Sequence, residues 1–252
     1  MAKKRVFTKI LNVRFDTFSM KDSVDYVYDF LNGEENHIIV TPNPEMVMAS
    51  RKDEEFERIL NSADFCMPDG IGVVWASKFN SKIIDERVGG CDFTMNLFEK
   101  ISREEKAVKI YILGAAKGVA KKAKINIETK YKNIDVVGTA DGYFEEKSEE
   151  VVIEEIKTSK PDILLVGLGM KRQEKWISKN IELPSKISMG VGGTIDVLAG
   201  EVKRAPDFFI KFHLEWFYRI AKQPKRIGRA MQLPLFAYLV LDEKIFNRRP
   251  RG

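Results

Sequence analysis

Between residue 37 and about residue 200, short and uniformly apolar runs alternate with longer segments whose apolar residues recur every three or four positions. The runs are HIIVT (37–41), DFCM (64–67), VKIYILG (108–114), IDVVGT (134–139), DILLVGLG (162–169) and ISMGVGG (187–193). Each leads towards a segment of helical period. Strands that are apolar throughout belong in a parallel sheet covered on both faces, so the pattern predicts a Rossmann-like, doubly wound, mostly parallel α/β sheet. Ser19 and Ser148 stand where two of the helices need N-caps, and Gly33 stands where the first of them should stop.

The pattern changes at KRAP (203–206), after which aromatic and basic residues dominate. Phe208, Phe209, Phe212, Trp216 and Ile220 recur at helical spacings, and Arg219, Lys222, Lys225, Arg226 and Arg229 surround Pro224, where a helix kinks or restarts. The chain therefore divides into a core, residues 1–202, and a helical basic and aromatic appendage, residues 203–252. Charge sharpens that division. Of the overall net charge of +5, the appendage holds +8 and the core −3. A basic, aromatic helix suits the headgroup region of an anionic membrane, where each basic residue adds about 1 kcal/mol. The competing readings are aromatics packed on the core beneath a solvated basic face, and nucleic acid, which is the weakest of the three. No apolar run approaches the roughly 18 residues of a spanning helix, and the N-terminal stretch breaks its apolar residues with Lys9, Asn12 and Arg14, unlike a secretory signal. The expected location is cytoplasmic.

Cys66 and Cys91 are the only cysteines and His37 and His213 the only histidines, so neither a zinc-ligand cluster nor a disulfide framework is encoded, and no metal or cofactor is expected. Ligands of open α/β sheets sit beyond the carboxyl ends of the strands. There the chain places Thr41 and Asn43, the turn Pro68-Asp69-Gly70, Gly114, the MKRQEKW segment with Gln173 and Lys175, whose alternative is an exposed first helical turn, and Gly192-Gly193. The glycines let backbone amides approach a phosphate, or they only make tight turns. Neither a dinucleotide fingerprint nor a P-loop is present, which weakens the alternative of a nucleotide-binding oxidoreductase. Asp69 is either a turn residue or a base; with an ordinary pKa of about 3.9 it is ionised at neutral pH and can take a proton from an attacking hydroxyl. No D-x-D occurs, so a leaving diphosphate would need arginines or helix ends, with Arg87 a candidate and a surface ion pair its alternative.

HIIVTPNPEMV, MPDGIGVVWASK, ERVGGCDF, GLGMKRQEKWI, GVGGTIDVLAGEVKRAP and EWFYRIAKQPKRIGR, in this order, resemble the motifs of the WecG/TagA/CpsF glycosyltransferases, glycosyltransferase family 26. The likeness runs from about residue 10 to 235. It implies an inverting, metal-independent transfer of N-acetylmannosamine, its uronic acid or another hexose from a UDP-sugar donor. The implied acceptor is GlcNAc linked to undecaprenyl diphosphate, at the inner face of the plasma membrane, in teichoic acid or related polysaccharide synthesis. The resemblance puts the base on Asp69, a Thr-x-Asn loop on Thr41 and Asn43, and further site residues on Arg87 and Gln173. It puts arginines that reach the site from the appendage on Arg219, Arg226 and Arg229. The expected partners are these two substrates and an anionic membrane met by residues 203–252, without nucleic acid; a homo-oligomer is compatible with the sequence. Two features depart from the family pattern: Met170-Lys171, where many members have a proline before the lysine, and the tail after residue 242.

Overall fold

The computed structural model describes residues 5–202, 206, 209, 218 and 232–245. Six parallel strands form the main sheet in the order β4-β3-β8-β7-β5-β6. They are β3 (His37–Val40), β4 (Phe65–Cys66), β5 (Val108–Gly114), β6 (Ile134–Ala140), β7 (Ile163–Gly167) and β8 (Ile187–Gly190). Each falls within or one residue beyond its predicted run. Successive side chains alternate between faces, as a strand's period of two requires. Ile110, Ile112, Ile163 and Leu165 enter one hydrophobic cluster, while Tyr111, Leu113, Leu164 and Val166 enter another.

Helices α1 (Met20–Asp29), α5 (Gly90–Arg103), α6 (Val119–Lys130) and α9 (Thr194–Leu198) cover the first face. The other face is covered by α2 (Pro44–Ser50), α3 (Glu54–Ser62), α4 (Ile71–Ser77), α7 (Glu149–Ser159) and α8 (Arg172–Lys179). Ser19 caps α1 by accepting from the Asp22 amide, and a 3-10 turn over Phe30–Asn32 follows before Gly33. Ser148 occupies the N-cap position of α7 without a side-chain bond to the helix backbone. Gly138 is in a strand because the Tyr111 ring lies over it: a Cβ there would come within 2.3 Å of Tyr111 Cε2.

An antiparallel hairpin, β1 (Phe7–Ile10) and β2 (Val13–Asp16), was not predicted. Its turn is Leu11-Asn12, both at positive φ (47° and 73°), with no glycine to announce it. The hairpin protects the short edge strand β4. Asp16, fully buried, holds Arg5 (Nε to Oδ1, 2.6 Å) and accepts the Cys66 amide at 2.9 Å.

Within the predicted appendage, α10 (Gln232–Ile245) packs on α2 and α4, burying Phe236 and Val240 in the cluster around Val47 and Val73. No helix among the described residues is long and apolar enough to cross a membrane. Val240→Ala is expected to cost about 1–2 kcal/mol, the transfer and cavity terms of two buried methyls, measured as a lower denaturation midpoint. Exposed Tyr238→Ala should move it by less than about 0.5 kcal/mol. Equal effects of the two substitutions would contradict the packing.

Candidate active site

The order β4-β3-β8-β7-β5 makes neighbours of strands far apart in sequence, and it brings their carboxyl-end loops to one edge. The loops after β4 and β3 form one half of that edge. The Asp69 amide donates to the Pro42 carbonyl at 3.1 Å and the Val88 amide to the Pro68 carbonyl at 3.0 Å, so the aspartate turn is strung between the β3 exit and the segment before α5. Gly70 turns the chain at φ 113°, a conformation that favours glycine, and α4 starts at the next residue.

Asp69 is half-buried. Its Oδ1 lies 3.5 Å from Arg87 Nε, and its Oδ2 accepts a long bond, 3.4 Å, from the Gly90 amide at the start of α5. Arg87 also reaches Asp92 (Nη2 to Oδ2, 3.8 Å), a carboxylate that the sequence did not single out. Thr41 lies against Gly90, where a Cβ would stand 3.2 Å from Thr41 Oγ1. Asn43 caps α2, its Oδ1 accepting the Met46 amide at 3.0 Å. Thr41, Asn43, Asp69 and Arg87 thus share one corner, with Asn43 and Asp69 tied to backbone by local bonds.

The loops after β8 and β7 form the other half, one strand away from Thr41 and Asn43. Gln173, on the first turn of α8, is buried and points inward: its Oε1 accepts the Gly192 amide at 3.1 Å and its Nε2 donates to Glu174 Oε1 at 2.7 Å. Lys175 is held in ion pairs with Asp53 (3.2 Å) and Glu55 that join α8 to α3. Those bonds raise its pKa, the Glu55 bond most. Gly114 and Gly167 are placed by close backbone approach. A Cβ on Gly114 would lie 2.5 Å from the Gly167 carbonyl oxygen, and one on Gly167 would lie 2.9 Å from that of Gly192. Gly193 ends the β8 loop at the N-cap of α9. Arg219, Arg226 and Arg229 lie outside the described residues.

Cys66 is buried in the core, where desolvation pushes its thiol well above the usual range, as expected of an inert residue rather than a nucleophile. Among the described residues, no three His, Cys, Asp or Glu side chains converge as metal ligands.

The model of the WecG/TagA/CpsF glycosyl transferase family matches residues 8–250. The chain belongs to that family. It is a glycosyltransferase, which removes the oxidoreductase alternative. Similar proteins include the N-acetylglucosaminyldiphosphoundecaprenol N-acetyl-beta-D-mannosaminyltransferase of Bacillus spizizenii, 38% identical over 88% of this chain and 85% of that protein. Proteins of the same name from Bacillus subtilis and Staphylococcus aureus are each 35% identical over 93% of this chain, covering 91% and 92% of their own lengths.

Proposed function

We propose that this glycosyltransferase moves N-acetylmannosamine from UDP-N-acetylmannosamine to GlcNAc linked to undecaprenyl diphosphate, forming a β1,4 linkage with inversion. The setting is the cytoplasmic membrane face, in teichoic acid or related cell-surface polysaccharide synthesis. The observation that carries this reading is near full-length similarity to three transferases named for that reaction, from three organisms. The sheet edge supports it with a carboxylate, an arginine and a glycine loop in neighbouring positions.

In this reading Asp69 takes the proton from the acceptor hydroxyl while that oxygen bonds to the anomeric carbon. The bond from that carbon to the phosphate oxygen breaks, and UDP leaves with the electron pair. A single in-line displacement of this kind turns an α-linked donor into a β product. Arg87, 3.5 Å from Asp69, orients the carboxylate. Thr41 and Asn43 hold the sugar beside it, and Gln173 with Gly192-Gly193 shapes the bed for the diphosphate. Arg219, Arg226 and Arg229 from the appendage neutralise the leaving group, a role otherwise given to a metal ion. Lys175 acts indirectly, by holding α8 on α3.

The test is to incubate the protein with a panel of UDP-sugars and a polyprenyl-diphosphate-GlcNAc analogue and to weigh the products. A HexNAc addition from UDP-N-acetylmannosamine, in the β configuration, is the expected result. Preference for UDP-glucose or the uronic acid donor would reassign the sugar; an α product would overturn inversion.

A further inference from the structure

Glu174 is a carboxylic acid in an unusual place. Its side chain sits within the polar run KRQEKW, yet only 1% of the residue is exposed, and Oε2 is buried without a hydrogen-bond partner among the described residues. An ionised carboxylate in that setting is costly, and burial raises the Glu174 pKa accordingly. Its hydrogen bond to a neighbouring side chain is specific: Oε1 accepts Gln173 Nε2 at 2.7 Å, and the other end of that carboxamide accepts the Gly192 amide. The strand beneath has been cleared for the pair. A Cβ on Gly190 would fall 2.7 Å from Gln173 Nε2 and 3.0 Å from Glu174 Oε1.

A primary amide turned over swaps donor for acceptor. With Nε2 towards Gly192, two N–H groups would face each other, and Oε1 would face Glu174 instead. The Gly192 amide selects the observed orientation at one end, and Glu174 Oε1 holds it at the other by accepting from Nε2. The β8 loop inherits the result through the Gly192 amide.

We infer that Glu174 is a positioning residue for sugar transfer, fixing the Gln173 carboxamide so that the Gly192-Gly193 loop keeps the shape that receives the donor's diphosphate. The inference rests on the reading of that loop as part of the donor site. Three variants test it. Glu174→Met fills the space but removes the acceptor; Glu174→Gln keeps an oxygen for Gln173 Nε2. Gly190→Ala pushes the same amide from the opposite side, against a flexible side chain that can yield without unfolding the core.

Amide hydrogen exchange at Gly192 is read first, since it needs no substrate. It should quicken in Glu174→Met and Gly190→Ala and remain near wild type in Glu174→Gln. Donor kinetics should follow the same order, with KM for the UDP-sugar raised about tenfold in the first two, kcat changed less, and most of the affinity returned in Glu174→Gln. Unchanged exchange in Glu174→Met would overturn the inference. So would quickened exchange with an unchanged KM, or equal damage from Met and Gln, which is the mark of a merely structural residue. If the wild-type protein used no UDP-sugar, the donor assignment would fall, and the exchange data would still decide whether Glu174 holds the loop.

Discussion

Asp69→Asn is expected to lower sugar transfer at least about 10²-fold, the low end for loss of a general base, while leaving UDP binding intact. The substitution preserves shape. An asparagine oxygen can still accept the Gly90 amide, and the backbone bond to Pro42 does not involve the side chain, so the turn and Gly70 stay where they are. Only the capacity to hold a proton is lost, together with the charge that faces Arg87 at 3.5 Å. The measurement is single-turnover transfer with saturating donor, alongside calorimetric binding of UDP. Near-normal turnover would remove Asp69 from the role of base. Equal loss of binding and transfer would make it a ligand for the donor instead.

The largest expected effect on stability is at Gly114→Ala. Gly114 ends β5 at φ 145°, where an L side chain is strained, and its Cβ would come within about 2.6 Å of three backbone atoms of Gly167. Backbone cannot yield as a side-chain tip can. Strain and overpacking at about 1–3 kcal/mol each put the loss at about 4 kcal/mol, a fall in Tm on the order of 10 °C for a chain of this size. Gly118→Ala is the control: φ is 79°, but nothing lies within 4 Å of its would-be Cβ, so only strain remains. A melting curve that ranks the two equally would show that close approach between the β5 and β7 exits is not what requires glycine at 114.

The appendage reads differently once α10 is seen. Phe236 and Val240 are part of the core between α2 and α4, and a Cβ on Gly72, beside the Asp69 turn, would meet both Pro44 and Phe236. Removing residues 203–252 would uncover that surface as well as any membrane-facing one. Charge substitutions at Arg219, Arg226 and Arg229 therefore separate membrane or substrate contact from folding more cleanly than truncation does.

Much of the molecule was legible beforehand, for identifiable reasons. The six strands announced themselves because a strand buried on both faces must be apolar at every position, and Asp69 stood out because proline and glycine on either side force a turn at a strand's carboxyl end. The β1–β2 hairpin was hidden because Leu11 and Asn12 take a left-handed turn that their residue types do not advertise. Glu174 was hidden because a carboxylate among lysines reads as solvated, whatever its burial.

Local chemistry, then, wrote the elements, their ends and the turn that presents the carboxylate, since propensity and periodicity act within a few residues along the chain. The strand order lies beyond their reach. Placing β8 beside β3 brings Gln173, Glu174 and Gly192 next to Thr41, Asn43 and Asp69, across more than a hundred residues of sequence. The same packing sets Gly114 against the backbone of Gly167 and pairs Lys175 with Asp53. Those assignments depend on which surfaces meet when the two faces of the sheet are covered, and they became visible only with the folded chain.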